Sequence, residues 1–241
     1  MSIEIKQKNE QWLEENGIPF LASLPYIDEN ECRIKSPEEI VKRAVTAFLT
    51  AQIAIDMGKG ENGIKSAEFF YDILCKFGLE NELTADEKIF FNLRNNKTSV
   101  KKGLFSIFSN KTDSGISRQM IVNMAWRIEM CMPLFHACGF IENDLDYPNK
   151  PSDTMNLITI ISDCRSFDDL MAKVKMCDDE KIFENADLIY RMDWACVDAR
   201  IKGKNAPAEL NGEVVVEQHK GYNWLISEYG AEDWDDVSAD T

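Results

Sequence analysis

The sequence predicts an all-α protein, a single irregular multi-helix domain over residues 1–241 built around two buried central helices. Three observations predict it. Apolar residues recur at helical spacing along most of the chain, helix start and stop signals punctuate it, and no segment of convincing length alternates at the strand period. Val214 to Val216 resemble a strand in isolation, but the helical pattern that follows absorbs them.

Taken in order, residues 3–16 form a charged amphipathic helix that stops at Gly17, after which Pro19 and Pro25 hold an extended crossing segment. Ser36 followed by Pro37, Glu38 and Glu39 is a helix start: an N-cap, a proline at the first position, and acids at the positive end of the dipole. Glu38 and Glu39 also stand four residues before Lys42 and Arg43, the favourable order for ion pairs. From Ala44 to Ile55 nearly every position is apolar or small, so this is the first buried helix, ending at Gly58. Gly58 to Gly63 (GKGENG) lacks phosphate-loop spacing and follows a helix, so it reads as a turn. A short helix is expected over Ser66 to Phe77. Thr84 with Glu87 makes a capping box for another near Ala85 to Leu93.

Residues 94–116 are a long loop and the one basic patch on an acidic chain, with Arg94, Lys97, Lys101, Lys102 and Lys111 around an apolar knot. Ser117 to Cys138 is the second buried helix, closing at Gly139, with Pro133 expected to kink it. Residues 139–152, acidic and punctuated by proline, mark a subdomain seam. Short helices are expected near Thr154 to Ile161 and Phe167 to Lys175, then a long one from about Glu180 to Lys202, and a last one from Val214 to Ile226.

The last two helices carry the candidate site. Asp187, Arg191, Trp194 and Asp198 share one narrow arc of the first, and Glu217, Gly221, Trp224 and Glu228 share one of the second. Asp187 precedes Arg191 by four, and the arc reads as a solvated ion-pair row or one wall of a polar pocket. Gly221 leaves a notch for another backbone or a ligand. Arg127 and Glu129 lie two apart inside the second buried helix, so they point apart and each needs a partner elsewhere. The expected partners are Asp187 or Glu217 for Arg127, and Arg191 for Glu129. With Asn223 beside Trp224, the candidates are therefore Arg127, Glu129, Asp187, Arg191, Trp194, Glu217, Asn223 and Trp224.

Several stretches resemble a known family. KSPEEIVKRA, LTADE, WRIE, DLIYRMDWACVDARIKG, NWLI and the terminal WDDVSADT are similar to the bacterial domain-of-unknown-function family numbered 4272, from about Trp12 to the end. The resemblance implies a mostly helical, cytoplasmic bacterial protein and lends no reaction. Where that family often has an Arg and an Ala after the Glu of the last helix, this chain has Gln218 and Gly221.

Chemistry-bearing motifs are absent. His136 and His219 form no helical metal pair, and His136 on an apolar helix reads as a core residue. The adjacent pairs Asp168/Asp169, Asp178/Asp179 and Asp235/Asp236 diverge and suit helix dipoles or solvation better than a metal. Hydrolase, kinase and dehydrogenase signatures do not occur, and no cofactor or metal is expected. Seven cysteines without CxxC spacing point to reduced thiols. A net charge of −15 argues against nucleic acid and for a basic protein partner or solubility. The chain shows neither a leader nor an apolar run of spanning length, so a cytoplasmic protein away from the membrane is expected. From Glu228 to Thr241 there are six acidic side chains and no Lys or Arg, with Trp234 and Val237 placed to anchor this tail.

Two function classes follow. One is a non-catalytic binding or regulatory protein, immunity-like in kind, using an acidic helical surface. The other is a small-molecule enzyme or sensor with a buried pocket of Arg, Glu, Asp and Trp.

Overall fold

In the computed structural model, residues 2–95, 115–141, 147–227 and 233–241 are described. The chain is 66% helical with no strand among those residues, so its class is all-α. The helices are α1 (Ser2–Glu15), α2 (Pro37–Gly58), α3 (Gly63–Phe77), α4 (Ala85–Phe91), α5 (Arg118–Ala137), α6 (Met155–Asp163), α7 (Phe167–Met171), α8 (Asp179–Ile201) and α9 (Gly212–Leu225). The chain divides into two compact units. The first holds Met1–Val41, Glu129–Thr154 and Lys173–Thr241, and the second Lys42–Ile128 and Met155–Ala172.

The second unit follows from its caps and apolar faces. Ser36 and Glu39, still in the first unit, exchange hydrogen bonds at the start of α2, as a capping box requires. Within α2, Val45, Phe48, Ala51 and Ile53 are fully buried. Glu87 is fully buried as well, yet it serves twice. It closes the capping box of α4 with Thr84 and accepts from Arg43 of α2. α3 begins three residues earlier than expected, because the Asn62 side chain accepts from the backbone of Ile64 and Lys65 and so caps it. Beyond α4, Arg94 stacks 3.4 Å from the Tyr71 ring centre and donates to the Phe91 carbonyl. The rest of the basic loop, 96–114, lies outside the described residues.

In the first unit, α8 packs against both α1 and α9. Met130 to Ala137 of α5, and Cys138 after it, are almost wholly buried. α5 ends at Gly139, whose φ of 73° suits the left-handed cap. A Cβ at Gly139 would stand 2.4 Å from the Lys175 carbonyl oxygen, so the close approach also demands glycine. The Lys175 amide donates to the Cys138 carbonyl, which turns that residue away from α7. α7 accordingly stops at Met171 instead of running to Lys175. The expected seam 139–152 belongs to this unit, with 142–146 outside the described residues.

Candidate functional site

The site is built from the first unit, where α8 brings Asp187, Arg191 and Asp193 into the interior. Arg191 is 0% exposed. Its Nε and Nη2 donate to the two Asp187 oxygens at 2.8 Å each, a bidentate fork one helical turn long. Nη2 also reaches the Pro25 carbonyl at 3.1 Å, and Nη1 stands 3.5 Å from Glu10. Asn9 donates to Asp187 at 2.9 Å and to the Glu184 carbonyl at 2.9 Å. The Asp187–Arg191 part of the row therefore is not solvated, because α1 supplies Asn9 and Glu10 to it, whereas Asp198 pairs with the exposed Lys202. The sequence carried a signal for this. Asn9 stands in the row Ile5–Asn9–Leu13, and a polar side chain in an apolar stripe needs a buried partner.

The partners of the two α5 charges differ from those expected. Arg127, in the second unit, donates to Asp86 at 3.0 Å, a partner within its own unit. Glu129, in the first unit, is fully buried and accepts from the Ser152 amide at 2.7 Å, the Ser152 hydroxyl at 2.8 Å and Gln218 at 3.2 Å. Arg191 is committed to Asp187. Three neutral donors satisfy Glu129 because the buried carboxylate needs hydrogen bonds, and they supply them without importing a second charge. The two residues point apart, as their spacing requires.

On α9, Gly221 is the notch and a backbone fills it. A Cβ there would lie 2.4 Å from the Met130 carbonyl oxygen and 3.0 Å from Pro133 Cγ. Glu217 pairs with Lys220 at 2.6 Å, near the surface. His219 Nδ1 lies 2.9 Å from Asp193, both buried, with the Tyr190 ring centre 5.6 Å from the imidazole. Sequence reasoning missed this pair, whose members lie 26 residues apart on different helices.

The tail beyond residue 232 docks on the same helix. Trp234 is 3% exposed and packs edge-on against Trp224, their centres 5.4 Å apart. Lys35 stands 4.7 Å over the other part of this cluster, the Trp224 ring, and bonds Ser227. Asn223 donates to the Ser238 carbonyl at 2.9 Å, tying the tail down, and Val237 is buried. Asp233, Asp236 and Asp240 remain exposed. Trp194 is half-buried on α8, and Glu228 lies outside the described residues.

One half-open pocket, about 310 Å³ with its mouth included, opens beside α8 and α9. Pro148, Leu188, Ile189 and Met192 form its walls, and Asn185, Gln218 and Tyr222 its polar lining. None of the eight expected site residues lines it. Two thiols of this unit are inert in kind: burial pushes Cys138 up to about 12, with Cys177 adding to it, and burial does the same to Cys196. Among the described residues, no group of His, Cys, Asp and Glu is arranged to hold a metal ion, and no helix is long and apolar enough to cross a membrane.

A family model described as domain of unknown function, DUF4272, matches residues 5–237. No curated protein and no solved structure matches the chain.

Proposed function

We propose that the chain, which belongs to the DUF4272 family, is a non-catalytic binding or regulatory protein whose surface carboxylates meet a basic protein partner. The docked tail carries this reading. Trp234 and Val237 are buried while Asp233, Asp236 and Asp240 face solvent, so the acids are presented on an anchored strip instead of a loose end. A net charge of −15 supplies the long-range attraction, which steers a cationic partner and fades with salt. The buried charges support the same reading from the other side. Arg191, Asp187 and Glu129 are engaged by the chain's own groups and hold no reactive geometry open. Free thiols at all seven cysteines suit a reducing compartment, and we place the protein in the cytoplasm on that ground.

Native mass spectrometry of the untagged protein, taken gently from its own cells, tests the proposal. The expected result is a stoichiometric protein adduct at low ionic strength, released by salt and absent from the triple variant Asp233→Asn, Asp236→Asn, Asp240→Asn at unchanged melting temperature. An adduct that survives the triple change, or none at any ionic strength, would overturn it.

A further inference from the structure

The pocket beside α8 and α9 has a chemistry of its own. Asn185 Nδ2 is buried and finds no hydrogen-bond acceptor among the described residues. A buried donor left unmade costs free energy that a ligand can recover by accepting from it. Gln218 lies in the same lining; its Nε2 donates to Glu129, and its amide oxygen carries no hydrogen bond among the described residues. Beside the Tyr222 hydroxyl and the Asn185 carbonyl oxygen, the lining thus offers the unmatched Asn185 N–H donor and the Gln218 carbonyl acceptor. It contains no Lys, Arg, His, Asp or Glu, so neither an anion nor a cation finds a counter-charge there. Pro148, Leu188, Ile189 and Met192 give the remainder an aliphatic surface.

We infer that this pocket binds a short aliphatic primary amide, its carbonyl accepting from Asn185 Nδ2 and its N–H donating to the Gln218 amide oxygen. The amide matches both free polar groups at once, and its alkyl part covers the apolar wall. A carboxylate would match only the donor and bring an uncompensated charge. An amine would match only the acceptor. The inference stands apart from the acidic surface and does not depend on a protein partner, although a glutamine side chain of a partner carries the same chemistry as a free amide.

The test is a titration of the full chain followed by ¹H–¹⁵N correlation spectra, reading the side-chain NH₂ signals of Asn185 and Gln218. Butyramide is the free probe, N-acetylglutamine methylamide the peptide probe, and butyrate and butylamine the charged controls. Saturable shifts of both side-chain signals are expected with butyramide, and affinity about tenfold weaker in Asn185→Leu and Asn185→Ala. The two variants keep or raise the melting temperature, since the group removed has no partner in the fold. Tighter binding of the peptide probe than of butyramide assigns the amide to a partner chain, and the reverse assigns it to a free molecule; either supports the site. No saturable shift with either amide, an affinity unchanged in both Asn185 variants, or equal binding of butyrate would overturn it.

Discussion

Replacing Gly221 by alanine separates helix propensity from packing at one atom. In a free helix the change stabilises by about 1 kcal/mol, since glycine pays more backbone entropy. Here the new Cβ would lie 2.4 Å from the Met130 carbonyl oxygen and 3.0 Å from Pro133 Cγ. The first of these is backbone in a buried helix and cannot swing aside, so α9 must move away from α5. Overpacking of this kind costs about 1–3 kcal/mol, and rigid backbone on one side puts it at the upper end. The propensity gain offsets part of that, leaving a net loss of about 1–2 kcal/mol. For a chain of this size the melting temperature falls by roughly 2–8 °C. Gly212→Ala is the control. Its Cβ would meet only Cys196 Cβ at 3.8 Å, an ordinary contact, so no loss is expected. Thermal melts followed by circular dichroism measure both. A Gly221→Ala protein that melts at or above the parent would show that α9 does not press on α5 as described.

Four further outcomes follow from the same geometry. Asp187→Ala leaves Arg191 buried with Glu10 at 3.5 Å, and should cost about 3–5 kcal/mol in urea unfolding; replacing both by apolar residues should recover most of the loss. Trp234→Ala removes the edge-on contact with Trp224 and should expose the tail to limited proteolysis, with truncation before residue 233 as the first product. Cys138 and Cys196, near 12, hold about one thiolate in ten thousand at pH 8, so iodoacetamide should leave both unmodified in the folded protein while labelling the exposed Cys75 ahead of them. The Ser36 hydroxyl and amide hold the Glu39 carboxyl below its ordinary value. A depressed folded value gives stability that is present above the unfolded value and lost as pH falls through the folded one. Ser36→Ala should therefore raise the Glu39 titration midpoint seen by NMR, and an unchanged midpoint would remove the cap from the account of α2.

Much of the fold was legible because it is written locally. The N-cap at Ser36, the capping box of Thr84 and Glu87, the stop at Gly139 and the Asp187–Arg191 spacing all act within one helical turn, and the structure places each where the pattern put it. What was hidden is what depends on distant chain. The partner of Glu129 is Ser152, which has no helical spacing to announce it, and the Asp193–His219 pair joins two helices whose register no periodicity defines. The pocket was invisible for a related reason. Charged residues drew attention to Arg127 and Glu217, whereas the polar groups lining it are the neutral side chains of Asn185, Gln218 and Tyr222. Gln218, noticed at first only as a departure from the family pattern, is where α9 meets Glu129, while the notch read at Gly221 is where α9 meets the Met130 carbonyl.

The reach of α1 to α8 also sets a timetable. Asn9 leaves the ribosome well before its carboxylate partner Asp187, which lies 178 positions later. Closing so long a separation is slow compared with local helix formation, and synthesis at about 5–20 residues per second adds its own wait. During that interval the Ile5 and Leu13 face of α1 has no finished surface to cover it, since α8 does not yet exist. The second unit draws on Lys42–Ile128 for most of its chain and suffers no such delay. A newly made molecule therefore carries α1 as an unsealed edge until α8 has been synthesised, which gives a chaperone that interval in which to act on it.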